Sequence, residues 1–240
     1  MTPYYDDGQV TIYHGDCRDV LPMIDAASVD LVVTDPPYQS LDVEVAIGTT
    51  TRLVGLDQLA GKRLASSNGK RWFSTLPSGE LGVVFGHVQR LLKSTGALYV
   101  FADVKSGLEI FPALVPANVL VWDKGEIGMG YNWRRMHEWI AFCPMSEHKL
   151  RDKGAGDILR FSGVNSKTHP TEKPSSLIVR ILANSTDHGA LVLDPFMGTG
   201  STLRAAKNVG RRAIGIELEE RYCEIAVKRL AQSVMALEVA

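Results

Sequence analysis

Seven short apolar runs punctuate the chain: VTIYH (10–14), VDLVVT (29–34), GALYVFA (96–102), NVLVWD (118–123), EWIAFC (138–143), ALVLD (190–194) and RRAIGI (211–216). Most are continuously apolar rather than alternating, which predicts strands covered on both faces. Stretches with a helical period lie between them. ELGVVFGHVQRLLK sets Leu81, Val84, Phe85, Val88, Leu91 and Leu92 on one stripe. KPSSLIVRILANS does so with Leu177, Ile178, Ile181 and Leu182, and ERYCEIAVKRLAQSV with Tyr222, Ile225, Ala226 and Leu230. Such stripes serve core packing. Alternating strands and helices predict an α/β fold with a doubly wound, mostly parallel seven-stranded sheet, its ligands lying beyond the carboxyl ends of the strands.

Composition narrows the class. The 240 residues, 45% hydrophobic and 22% charged, suit a single domain over 1–240 with a substantial core. No apolar run approaches the roughly 18–20 residues that span a bilayer, so no membrane partner is expected. The N-terminal MTPYYDDGQV has neither the basic nor the hydrophobic region of a secretory signal. Three scattered cysteines form neither a disulfide framework nor a zinc pattern, which points to a reduced, cytoplasmic protein without a metal.

Two stretches, 39–79 and 144–172, lack clear periodicity; neither resembles a separate domain, and loops of such length usually carry function. The first includes GKRLASSNGKRWF, where Lys62, Arg63, Lys70 and Arg71 stand beside Trp72 and Phe73 without an acid. That mixture could hold phosphates and stack on bases, or form a solvated loop with one buried ring. The formal net charge of -1 favours neither.

The chemistry concentrates where apolar runs end on acids. VDLVVTDPPYQS climbs to Asp35 and breaks at Pro36 and Pro37, which cannot continue a central strand. LVLDPFMGTGST ends a strand on Asp194 and follows it with a Gly-rich turn and a helix beginning near Ser201. Gly198 and Gly200 would let the backbone approach a ligand, and the helix start offers N–H groups to an anion. No GK[ST] follows, so this is not a P-loop. The next strand ends on Glu217, about twenty residues past the first glycine, where dinucleotide folds keep the acid that takes ribose hydroxyls. In THPTEKPSS, Lys173 is a candidate for a ligand carboxylate and Pro174 suits a first helical turn.

Together these residues resemble a β-class amino-group DNA methyltransferase, a family using S-adenosylmethionine. DPPY (35–38) is similar to its catalytic motif, DPFMGTG (194–200) to its cofactor loop, and Glu217 to its ribose acid. HGDC (14–17) and HPTEKP resemble two further motifs, and the catalytic motif precedes the cofactor motif as in the β class. The resemblance implies a Rossmann-like methyltransferase fold with permuted motifs. It also implies a cofactor site lined by Asp35, Asp194, Phe196, Gly198, Gly200 and Ser201, with Asp16 and Cys17 near the adenine of the cofactor and Lys173 near its carboxylate. A backbone contact is expected of Cys17, and a structural role of His169.

By the same resemblance, Asp35 and the Pro36 carbonyl accept the amino hydrogens of a flipped-out base, Pro37 stiffens the turn and Tyr38 stacks on the base. Cytosine carbon-5 chemistry is discarded, because the only neighbouring Cys–Pro pair, Cys143-Pro144, stands at a strand end in the reverse order. An aspartate opening the motif favours adenine N6 over cytosine N4. An RNA adenine methyltransferase and a silent DNA-binding scaffold are further alternatives. The expected partner is double-stranded DNA, contacted by insertions at 39–79 and 144–168, with Lys62, Arg63, Lys70 and Arg71 along the phosphates. Arg134 and Arg135 would touch DNA or pair with Glu138 and other surface acids. A homodimer and a cognate restriction endonuclease are expected companions.

Overall fold

The computed structural model describes residues 2–37, 78–127, 133–163 and 172–232. Its strands are β1 (Tyr5–Asp6), β2 (Val10–His14), β3 (Val29–Thr34), β4 (Leu92–Ala102), β5 (Asn118–Asp123), β6 (His137–Pro144), β7 (Ile158–Arg160), β8 (Leu191–Asp194) and β9 (Arg212–Glu217). Its helices are α1 (Cys17–Val20), α2 (Ser78–Leu91), α3 (Val104–Leu114), α4 (Ser175–Ser185), α5 (Ser201–Asn208) and α6 (Glu220–Ala231), with a 3-10 turn at Leu21–Met23.

All the strands join one sheet in the order β1-β2-β9-β8-β3-β4-β6-β5-β7. The central pairs from β2 to β4 are parallel, whereas β6 runs antiparallel to both β4 and β5. The doubly wound, mostly parallel α/β fold is as expected, but the expected seven strands become nine among the described residues. The additions are β1 and β7, edge strands of 2 and 3 residues, too short to leave a periodic signal.

Continuous apolar character has the expected cause. In β4, Ala97, Tyr99 and Phe101 pack on one face with α4, α5 and α6, while Leu98, Val100 and Ala102 pack on the other with α2 and α3. Both faces are dry from Ala97 to Ala102, so every position there is apolar. The α2 stripe is buried as expected, except that Leu92 is the first residue of β4 rather than part of the helix. On α6 the buried line is Cys223, Ala226 and Leu230, with Tyr222 and Ile225 half-exposed at its margin.

Helix α3 has no counterpart in the sequence reading, because Gly107 and Pro112 interrupt its pattern. Gly107 is needed there: a Cβ would lie 2.9 Å from the ring of Trp139. Asp103 caps the helix start by accepting from the N–H of Ser106 at 2.7 Å.

Candidate active site

The acid-ended strands become neighbours in space. Across the sheet run the carboxyl ends of β2, β9, β8 and β3, carrying in turn the segment after His14, Glu217, Asp194 and Asp35. Parallel register aligns them: His14 sits opposite Glu217, Asp194 opposite Gly215, and Val32 opposite Leu193. From β8 the chain continues to β9 on one side, and from β3 to β4 on the other, so the crevice opens between β8 and β3.

Asp194 is buried at the base of that crevice. Its Oδ1 accepts from the Thr34 hydroxyl at 2.8 Å and from the Phe196 N–H at 3.2 Å. Burial pushes its carboxyl up to about 6 against the hydrogen bonds from Thr202, Thr34 and Phe196, and the nearby charge of Asp35 adds to the rise.

Glu217 holds the glycine turn. Its Oε2 accepts from the Gly198 N–H at 3.0 Å and its Oε1 from the Glu219 N–H at 2.8 Å. Burial raises its carboxyl above the usual range although both N–H groups oppose the shift. Each oxygen retains a lone pair for a hydroxyl donor.

The two glycines of the turn have different tasks. Gly198 adopts φ +52° with nothing within 4 Å of a would-be Cβ, so its face is an open cradle. Gly200 adopts φ +78°, but its missing Cβ faces Ala226 at 2.9 Å. The bareness of Gly200 therefore admits α6. Ser201 opens α5, and its Oγ accepts from Arg229 at 2.8 Å. Arg229 in turn pairs with Glu172 at 2.9 Å.

Next to Glu217, the N–H of Gly15 donates to the Glu217 carbonyl at 2.9 Å. Asp16 caps α1 through the Arg18 N–H at 2.9 Å and pairs with the Arg18 guanidinium, which also meets Glu80. Cys17 is buried, and burial, reinforced by the charge of Asp16, pushes its thiol up to about 12. Such a thiol is inert, in keeping with a backbone role.

Asp35 follows β3, half-buried, with Pro36 buried and Pro37 half-buried behind it. Its Oδ2 lies 2.6 Å from Lys173 Nζ, and the same ammonium lies 3.2 Å from Glu138 Oε2. Lys124 completes the row at 2.5 Å from Glu138. Burial disfavours the Lys173 cation, yet the two carboxylates raise its titration above the usual lysine value. Burial would likewise lift Glu138, but Lys173 and Lys124 hold it below the usual carboxylate range.

Thr34, Glu138, Lys124 and Arg229 are the residues that sequence reasoning missed. Thr34 carried one signal, as a hydroxyl ending an otherwise apolar run; the others are brought in by distant segments. Arg135 pairs with Asp103 at 3.1 Å rather than with Glu138, and Arg134 is exposed beside it. Tyr38, Lys62, Arg63, Lys70, Arg71 and His169 lie outside the described residues, as do most of 39–79 and the end of 144–168. Among the described residues no cluster of His, Cys, Asp or Glu could hold a metal, and no helix is long and apolar enough to cross a membrane.

A family model described as DNA methylase, for N6 and N4 methyltransferases, matches residues 29–228. The type II methyltransferase M.HinfI of Haemophilus influenzae is 29% identical over 92% of this chain and 68% of its own. A DNA modification methylase of Thermus thermophilus, TTHA0409, solved with S-adenosyl-L-methionine, is 26% identical with a TM-score of 0.63, covering 92% of both chains. The cytosine-N4-specific PvuII DNA methyltransferase, at 18% identity, shares the fold with a TM-score of 0.67 over 98% of this chain and 90% of its own.

Proposed function

The chain belongs to the N6/N4 DNA methylase family, and from that membership we propose that it methylates adenine N6 in double-stranded DNA at the expense of S-adenosylmethionine. One observation carries the reading. Asp35 stands at the end of β3, one strand away from Asp194 and two from Glu217, so an acceptor for an amino group adjoins the crevice between β8 and β3.

The residues fit the cofactor. Gly198 leaves an uncovered face above the turn, and both Glu217 oxygens keep acceptor capacity for ribose hydroxyls. Asp194, Phe196 and Ser201 would complete its walls, with the backbone of Asp16 and Cys17 beside the adenine. When bound, S-adenosylmethionine supplies the methyl group, activated on a sulfonium.

The remaining work falls to this chain. An exocyclic amino nitrogen is a poor nucleophile because its lone pair is delocalised into the ring. The Asp35 carboxylate and the Pro36 carbonyl accept its hydrogens, favour a pyramidal nitrogen and stabilise the charge that develops there. Pro36 and Pro37 fix the carbonyl at little entropic cost. The amino proton leaves after the new bond is made, so Asp35 need not remove it beforehand. A paired base cannot reach this pocket, so the nucleotide is extruded and Tyr38 stacks on it.

The preference for adenine N6 over cytosine N4 rests on the aspartate opening the motif. We read the chain as one methyltransferase domain acting beside a cognate restriction endonuclease, as the likeness to type II methyltransferases suggests. The test is nucleoside mass spectrometry of unmethylated DNA incubated with protein and cofactor, with Asp35→Ala in parallel. N6-methyladenine that disappears in the variant, while cofactor binding persists, is the expected result. N4-methylcytosine would overturn the base assignment, and turnover by Asp35→Ala near the wild-type rate would overturn the catalytic one.

A further inference from the structure

Lys173 stands in a row of alternating charge that crosses four segments of the fold. Asp35 follows β3, Lys173 precedes α4, Glu138 lies on β6 and Lys124 follows β5. The separations along the row are 2.6, 3.2 and 2.5 Å. The Lys173 side chain is only 10% exposed. Its ammonium also lies 5.4 Å from the centroid of Phe101 and 6.0 Å from that of Trp122, with Lys124 on Trp122 at 4.8 Å.

The geometry points to Lys173 as a positioning residue for Asp35: its ammonium fixes Oδ2, so that Oδ1 is the oxygen turned to the target amino group. This assignment rests on the function proposed above.

A carboxylate rotates readily about its last bond, and a loose one would offer the amino hydrogen an ill-defined acceptor. Here one oxygen is pinned by a buried cation whose own place is set from three sides. Glu138 draws it toward β6, the Phe101 and Trp122 rings flank the ammonium itself, and buried Pro174 stiffens the backbone after it. Glu138 cannot swing away, since Lys124 holds its other oxygen. Lys173 already has two carboxylate partners, at 2.6 and 3.2 Å, and with Lys124 the row is neutral. A further carboxylate, such as that of the cofactor, would find no uncompensated charge at this ammonium. The same lysine is therefore assigned to the acceptor and not to the cofactor's amino-acid end.

The two roles separate experimentally. Lys173→Met should slow single-turnover methylation about 100-fold through a misplaced acceptor. Its dissociation constant for S-adenosylmethionine, measured by calorimetry, should stay within about threefold of wild type. Lys173→Arg, which keeps the charge, should recover about tenfold of the lost rate. If Lys173→Met fails to fold, Lys173→Met with Glu138→Gln removes the half-buried carboxylate that has lost one of its two cations, and the same split is expected. A methylation rate within about threefold of wild type would overturn the assignment. So would cofactor affinity falling in step with the rate, which would return Lys173 to the cofactor. Wild-type protein run alongside tests the premise, because absence of methylation there overturns the proposed function itself.

Discussion

The Thr34 hydroxyl donates to Asp194 Oδ1 across 2.8 Å, joining the last residue of β3 to the last residue of β8. Thr34 precedes Asp35 and Asp194 opens the glycine turn, so one buried hydrogen bond ties the proposed acceptor to that turn. Thr34→Val keeps shape but leaves the carboxylate one donor short. The expected loss is about 1–3 kcal/mol of stability in urea unfolding, because the acceptor is buried and charged when ionised. Thr34→Ser should retain most of it. Equal stability of wild type and Thr34→Val would show that the bond contributes nothing.

Asp194 also gives the fold a pH dependence of predictable sign. Its carboxyl titrates near 3.8 in the unfolded chain and near 6 when folded. Between those values the folded protein keeps a proton that the unfolded chain has released, so stability falls as pH rises and levels off above about 6. At about 1.4 kcal/mol per unit, the loss is at most about 3 kcal/mol. Carboxyls held low, such as Asp16 and Glu138, slope the opposite way. The readout is accordingly the difference between wild type and Asp194→Asn across this interval, and a constant difference would refute the assignment.

The strand ends were legible because the physics is local: an apolar run buried on both faces, then an acid, then residues unable to extend it. Asp35 and Asp194 carry that whole signature and Glu217 its run and acid, and the structure gathers all three at the carboxyl ends of neighbouring strands. The partners of those acids were not legible. Lys173 meets Asp35 across 138 residues and Thr34 meets Asp194 across 160, and no spacing rule connects them. Helix α3 was hidden for the opposite reason, since Gly107 answers to the Trp139 ring rather than to helix propensity. At Gly200 the sequence reveals a bare backbone without revealing that α6 approaches it.

Glu217 carries two tasks that a single substitution separates from the rest of the site. It accepts from Gly198 N–H and Glu219 N–H and is proposed to accept from the ribose. In Glu217→Gln the amide group turns donors toward one of those N–H groups, so the turn and the ribose contact both suffer. Calorimetry should show cofactor affinity falling about 10–100-fold, with about 1–2 kcal/mol lost in unfolding. Unchanged affinity would remove Glu217 from the cofactor site.

Gly215 in the middle of β9 offers the sharpest test of how core packing sets the loop. An added Cβ would lie 2.4 Å from Met197 Sδ and 2.6 Å from Leu203 Cδ2. Both side chains are buried, and the unbranched, flexible Met197, the residue before Gly198, is the side that gives more readily. Gly215→Ala should cost about 1–3 kcal/mol of stability and also weaken cofactor binding, since moving Met197 drags the glycine turn with it. Met197→Ala alone opens a cavity and destabilises as well. In the double variant the new methyl occupies that space, so the two losses should fall short of additivity by at least about 1 kcal/mol. Strict additivity in urea unfolding would mean that Met197 does not transmit the strain to the turn.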